Sequence, residues 1–147
     1  MKSHPELEFI NSLSGKLAIE LDVPAARIGD LDNLRALPEA RIARLELHVE
    51  VFNRETEQFR PLTAEEYDAV AFRGKSIRLR SEDGDPVTHA APNGSFFTVR
   101  DMMRAVEETE QQTRSNSEWF GGIDVHHVYF EGIELSDDGT WDICWGS

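Results

Sequence analysis

The sequence predicts a single α+β domain spanning 1–147: a mainly antiparallel sheet with one long and one or two shorter helices packed on one face. Three stretches carry that prediction. ARLELHVEVF, Ala43 to Phe52, alternates Leu45, Leu47, Val49 and Val51 against Arg44, Glu46, His48 and Glu50, the two-residue period of a strand with one buried face. TVRDMMRAVEETEQQTR sets Val99, Met102, Met103 and Val106 on one apolar stripe at helical spacing. WFGGIDVHHVYFEGI and WDICW, joined through the turn residues SDDGT, read as a closing pair of strands.

Taken in order, the chain begins ambiguously. Pro5 suits a first helical turn, and Leu7, Ile10, Leu13, Leu17 and Leu21 recur at helical spacing, which favours a helix from about Pro5 to Leu21. Ser14-Gly15 interrupts that pattern, however, and KLAIELDV alternates like a strand, so a hairpin is the rival. The segment LAIELDVPAARIGDLDNLRAL is superficially similar to the first helix and loop of acyl carrier proteins. Its GDLDNL lacks the serine that carries their phosphopantetheine arm, so the resemblance implies no carrier function.

After the strand at 43–52, Thr63 and Glu66 form a capping box that opens a short helix. KSIRLRS gives a strand with Ile77 and Leu79 inward and Arg78 and Arg80 outward. EDGDPVTHAAPNGS reads as a long polar loop, with His89 and Asn93 on what would be a lid. Thr98, with Asp101 three residues on, caps the long helix. Glu110 and Arg114 are oriented favourably for an i,i+4 pair on it, and Ser115-Asn116-Ser117 ends it.

Composition narrows the function classes. A formal net charge of −13 opposes nucleic acid and anionic membrane surfaces, both of which require Lys and Arg. No apolar run spans a bilayer, the first residues do not resemble a signal peptide, and Cys144 is the sole cysteine, so a cytoplasmic location is expected. From Ser115 to Ser147 there is no Lys or Arg, against Glu118, Asp124, Glu131, Glu134, Asp137, Asp138 and Asp142. Such a segment steers a basic partner inward.

The adjacent His126 and His127 attract attention first. In a strand they point to opposite faces, so they do not converge on one ion, and no His or Cys spacing in the chain resembles a metal motif. No metal site and no cofactor are expected. Asp124 and His126, two apart on one face, make a better pair, because a carboxylate beside an imidazole is what a general base requires. Cys144 is the only nucleophile that would join them, and then only if WDICW lies alongside. Gly121-Gly122 is followed by a strand in acidic surroundings, which fits a turn better than a phosphate loop. SEDGDP lacks the ligand spacing of a calcium loop and reads as a polar turn.

Two functions from different classes follow. The favoured one is a small acidic cytoplasmic binding protein, of the immunity type, that covers a basic protein such as a toxin enzyme through Trp119, Asp124, His126, Tyr129, Glu131 and Glu134. The alternative is a small enzyme or ligand-binding domain with a pocket around Asp124 and His126. The lack of a recognisable catalytic motif tips the balance away from an enzyme.

Overall fold

Short-range alternation and capping place most of the elements in the computed structural model, which describes residues 7–22, 41–82, 84–114 and 127–146. In chain order these are α1 (Leu7–Asn11), β1 (Ser14–Asp22), β2 (Arg41–Asn53), β3 (Gln58–Pro61), α2 (Ala64–Asp68) and β4 (Val70–Phe72). They continue with β5 (Ser76–Arg80), β6 (Val87–Ala90), β7 (Phe97–Thr98), α3 (Val99–Thr113), β8 (Tyr129–Leu135) and β9 (Trp141–Gly146). Seven strands form one sheet in the order β3-β2-β1-β8-β9-β5-β6, and β4 pairs with β7 in a separate two-stranded ribbon.

The structure is mostly sheet, and the seven-stranded sheet is mixed, with one parallel pairing among antiparallel ones. Strand β5 runs parallel to β9, with Leu79 opposite Trp141 and Arg80 opposite Asp142, while the remaining pairings are antiparallel. A parallel pair needs a long crossover, and here the connection from β5 to β9 includes β6, α3 and β8. Closeness of segments in sequence reveals hairpins and hides such a joint.

Two further expectations are corrected. The helix from Pro5 to Leu21 is only the short α1, and β1 takes over at Ser14. Gly15 is the reason: a Cβ there would lie 3.0 Å from that of Phe130 and 3.2 Å from Val49 Cγ1, so the backbone can approach its neighbours as a strand. The stretch expected to be a loop after Glu82 contains β6, in which buried His89 faces inward between exposed Thr88 and Ala90. The turn residues around VTHA concealed a strand of only four residues.

The capping boxes form as expected. Thr63 and Glu66 bond reciprocally at the start of α2, and Thr98 and Asp101 do so at the start of α3. Arg60 adds a fork onto Glu66, 2.7 and 2.9 Å long, which with the cap hydrogen bond lowers that carboxyl to about 2.

Helix α3 is the centre of the fold. Val99, Met102, Met103 and Val106 are buried as the stripe predicts, but Ala105, Thr109, Glu110 and Thr113 are buried too, so the helix is enclosed on more than one side. Consecutive side chains reach toward opposite sides of the sheet. Glu107 accepts from the Leu47 N–H of β2 at 2.7 Å, whereas Glu108 and Thr109 meet His89 of β6. The sheet therefore curls over α3, which touches β6 at one end and β2, one strand in from the other. Glu107, together with Gln111 donating to Ile42 O, also covers the stretch of β2 that β3 leaves unpaired.

The pair Glu110 and Arg114 forms, but inside the molecule, at 0% and 4% exposure. Glu110 Oε1 accepts from Arg114 Nε at 2.7 Å and from Ser81 Oγ at 2.8 Å, and its Oε2 accepts from Trp145 Nε1 at 3.1 Å. The Arg114 guanidinium also sits 5.2 Å from the Trp145 ring centre. One carboxylate thus ties α3 to β9 and to the residue that follows β5. Glu110→Ala should destabilise the protein by about 3–5 kcal/mol because it breaks a buried ion pair by removing one partner. Glu110→Leu combined with Arg114→Met should recover most of that loss, as urea unfolding followed by tryptophan fluorescence would show.

Candidate functional site

The face of the sheet turned away from α3 is open, and strand parity decides which residues it carries. On β2 these are Arg44, Glu46, His48, Glu50 and Phe52; on β1, Lys16 and Ala18; on β9, Asp142, Cys144 and Gly146; on β5, Arg78 and Arg80. Strand β8 needs a correction to simple parity. Tyr129 is exposed and Phe130 buried, but Ile133, expected to share the Tyr129 face, is 2% exposed and lies on the helix side. A bulge between Phe130 and Ile133 changes the register, and Gly132 allows it with φ of +109°. Asn11 clamps the bulge by accepting from the Ile133 N–H at 2.9 Å and donating to its carbonyl at 3.3 Å. As a result Glu131 and Glu134, three apart, both face outward.

Cross-strand register then gathers the charges. Glu134 is directly opposite Asp142, and Asp142 is opposite Arg80. The Arg80 guanidinium is fully engaged, with Nε on Asp142 Oδ1 at 2.8 Å, one terminal nitrogen on Asp138 at 3.2 Å and the other on Ser136 Oγ at 3.3 Å. Arg78 similarly holds Thr140 Oγ1 at 2.7 Å and the Asp138 carbonyl at 2.8 Å. The Ser136 hydroxyl, then the Thr140 N–H, keep the Asp138 carboxyl far below its ordinary range. Both outward arginines of β5 are therefore committed to β9 and the β8–β9 turn. Among the described residues, Glu82, Glu131 and Glu134 have no cation partner.

A depression of about 480 Å³ lies at this point, lined by Arg80, Ser81, Glu82, Glu134, Asp142 and Cys144. It forms because β5 ends at Arg80 while β9 continues to Gly146. Glu82 fills the missing strand position by accepting from the Trp145 N–H through Oε1 at 3.3 Å. Its other oxygen, Oε2, is buried and has no hydrogen-bond donor. A buried carboxylate oxygen without a donor, beside Glu134 and Asp142, is a strong attractor for a cationic group.

Cys144 lies in the same depression. Burial first, then the charges of Glu134, Asp142, Glu82 and Glu131, push its thiol up to about 11. At neutral pH it is protonated, the opposite of the state an activated nucleophile needs. Among the described residues no group of three or more His, Cys, Asp and Glu is placed to hold a metal ion. No described helix is long and apolar enough to cross a membrane.

Of the residues singled out from sequence, the structure brings Tyr129, Glu131, Glu134 and Cys144 onto one face. Tyr129 is 47% exposed, with the Lys16 ammonium 5.7 Å from its ring centre. His127 precedes β8 and alternates with buried Val128 toward the Tyr129 side. Trp119, Asp124 and His126, and with them the proposed acid–base pair and the Gly121-Gly122 turn, lie outside the described residues. Sequence reasoning missed Glu82, Arg80 and Asp142 as a group, because their proximity depends on the parallel joint. It also missed Phe52 and Phe59, exposed by 39% and 54% with rings 4.9 Å apart. Phe52 left a signal, since it occupies the polar parity of an otherwise regular strand.

Comparison with protein-family models, with curated proteins and with solved structures finds no match for this chain. The class rests on geometry: a curled sheet around one helix, with an acidic, aromatic-bearing outer face.

The thiol gives a direct test of that electrostatic setting. Its alkylation by iodoacetamide should follow a pH titration with a midpoint of about 11. At pH 8 that leaves about a hundredfold less thiolate than an ordinary cysteine holds. Glu134→Gln removes a repulsive charge, so it should lower the midpoint and speed alkylation. A midpoint unchanged by Glu134→Gln would show that the carboxylate does not act on the sulfur.

Proposed function

We propose that this is a small acidic binding protein whose open sheet face covers a basic protein partner, in the manner of an immunity protein over a toxin enzyme in the cytoplasm. The observation that carries the proposal is Glu82: a buried carboxylate oxygen with no donor, in a depression that also holds Glu134 and Asp142. A Lys or Arg side chain of a partner seated in the depression would supply the missing countercharge to Glu82 and Glu134. The rest of the face fits the anatomy of an interface. Tyr129 and the Phe52–Phe59 pair offer exposed aromatic area, and the uncompensated Glu131 and Glu134 favour fast, oriented approach of a positive surface. The chain's net charge of −13 acts in the same direction over longer range.

The test is affinity capture from the native host with the intact chain as bait, followed by kinetics on the purified partner. A stoichiometric basic protein is expected, with an association rate that falls steeply between 50 and 300 mM salt, as charge steering requires. Glu82→Gln with Glu131→Gln and Glu134→Gln should weaken binding by at least about tenfold, since hydrogen bonds to charged groups contribute about 1.5–3 kcal/mol each. A partner bound equally well by this triple variant would show that another surface makes the contact.

A further inference from the structure

Strand β6 ends the seven-stranded sheet, and among the described residues no strand pairs with its outer edge. The direction of its backbone groups follows from the ladder. Ala91 N–H donates to Lys75 O at 2.8 Å, and His89 and Val87 stand opposite Ile77 and Leu79. Bonded pairs alternate along an antiparallel ladder, so the N–H and C=O groups of Thr88 and Ala90 point along the free edge. The other end of the sheet is better guarded. There β3 has only four residues, one of them Pro61, and side chains of α3 occupy the adjoining edge of β2.

Beside the open edge runs a groove of about 380 Å³ between β6 and α3, whose lining includes His89, Phe97, Asp101, Arg104, Ala105 and Glu108. His89, 8% exposed, is unusually placed in it. The single hydroxyl proton of Thr109 goes to the Ala105 carbonyl at 2.8 Å. Thr109 Oγ1 must therefore accept from His89 Nε2–H, at 2.7 Å. The other ring nitrogen, Nδ1, lies 3.4 Å from Glu108 Oε2. Burial holds the imidazole below its usual range despite the raising effect of Glu108. Glu108, itself 55% exposed, thus presents its carboxylate at the groove beside a buried imidazole.

We propose that an extended segment of a partner protein adds to β6 as a further strand, and that a Lys or Arg side chain of that segment enters the groove to donate to the Glu108 carboxylate. Main-chain pairing with Thr88 and Ala90 supplies affinity, and Glu108 selects the basic side chain. Charge supports the choice, because the groove carries Asp101 and Glu108 against Arg104 alone. In an added strand the residues opposite Thr88 and Ala90 turn their side chains outward. The residue between them, opposite His89, faces the groove. This surface is distinct from the open face, and the proposal does not depend on that face being an interface.

The probe is a capped, fluorescein-labelled heptapeptide, Ser-Val-Thr-Lys-Thr-Val-Ser, titrated with the intact protein at pH 7.5 and read by anisotropy. Saturable binding is expected. It should weaken by about tenfold or more when norleucine replaces the lysine, and equally in Glu108→Gln, since each change removes one charged hydrogen-bond partner. Thr88→Pro removes only an N–H that points off the edge, and it should abolish binding while leaving the thermal melt near that of the parent protein. N-methylation of the two peptide threonines tests the same ladder with the protein untouched. Absence of saturable binding up to millimolar protein, or equal affinity for the lysine and norleucine peptides, overturns the proposal. So does a sedimenting dimer that Thr88→Pro converts to monomer, because a second copy would then occupy the edge.

Discussion

The buried carboxylate of Glu110 is the constraint on which the architecture turns. It receives hydrogen bonds from α3 itself, from the residue that follows β5 and from the indole of β9. Those two strands form the parallel joint, which no hairpin secures. Apolar contacts from Val106, Met102 and Ile143 supply the non-directional part of the packing, but they tolerate sliding. A charged group with three directional donors does not, and its burial forces α3 to sit at one depth and one rotation in the curl.

The outer surface follows from that placement. Because α3 fills the concave side, Glu107 reaches β2 while Glu108 reaches β6, and the convex side is left to polar and charged residues. Because β9 outlasts its parallel partner, Glu82 has to substitute for a strand, which buries one of its oxygens without a donor. The committed arginines at Arg78 and Arg80 pin the closing turn and leave the neighbouring glutamates unbalanced. The acidity of this region is thus an outcome of how cations are distributed, and a tally of carboxylates alone would not reveal it.

Much of this was legible before any coordinates. Strict two-residue alternation located β2 and β5, and reciprocal capping residues located both α2 and α3, since these signals act over a few residues and need no tertiary context. What escaped was non-local. Ser14-Gly15 marked a break, yet only the closeness of Phe130 and Val49 explains why the chain becomes extended there. The pair Glu110 and Arg114 was visible as a spacing, but spacing does not say whether a pair is wet or dry. Of the site, Tyr129, Glu131, Glu134 and Cys144 could be named from sequence. Glu82, Arg80 and Asp142 could not, because a parallel crossover brings them together across some sixty positions.

The bulge at Gly132 has an evolutionary reading. A single additional residue in β8 acts as a phase shifter: every side chain after it is displayed on the opposite side from the one that counting from Tyr129 would assign. Loss of that one glycine by deletion would leave the composition and charge of the chain almost unchanged. It would also remove the extra residue that the bulge accommodates, so plain alternation would still keep Ile133 toward the core and Glu134 toward solvent. What would exchange them is a change that flattens the bulge at unchanged length, and Asn11, which grips the bulge, is the residue whose fate should be tied to it.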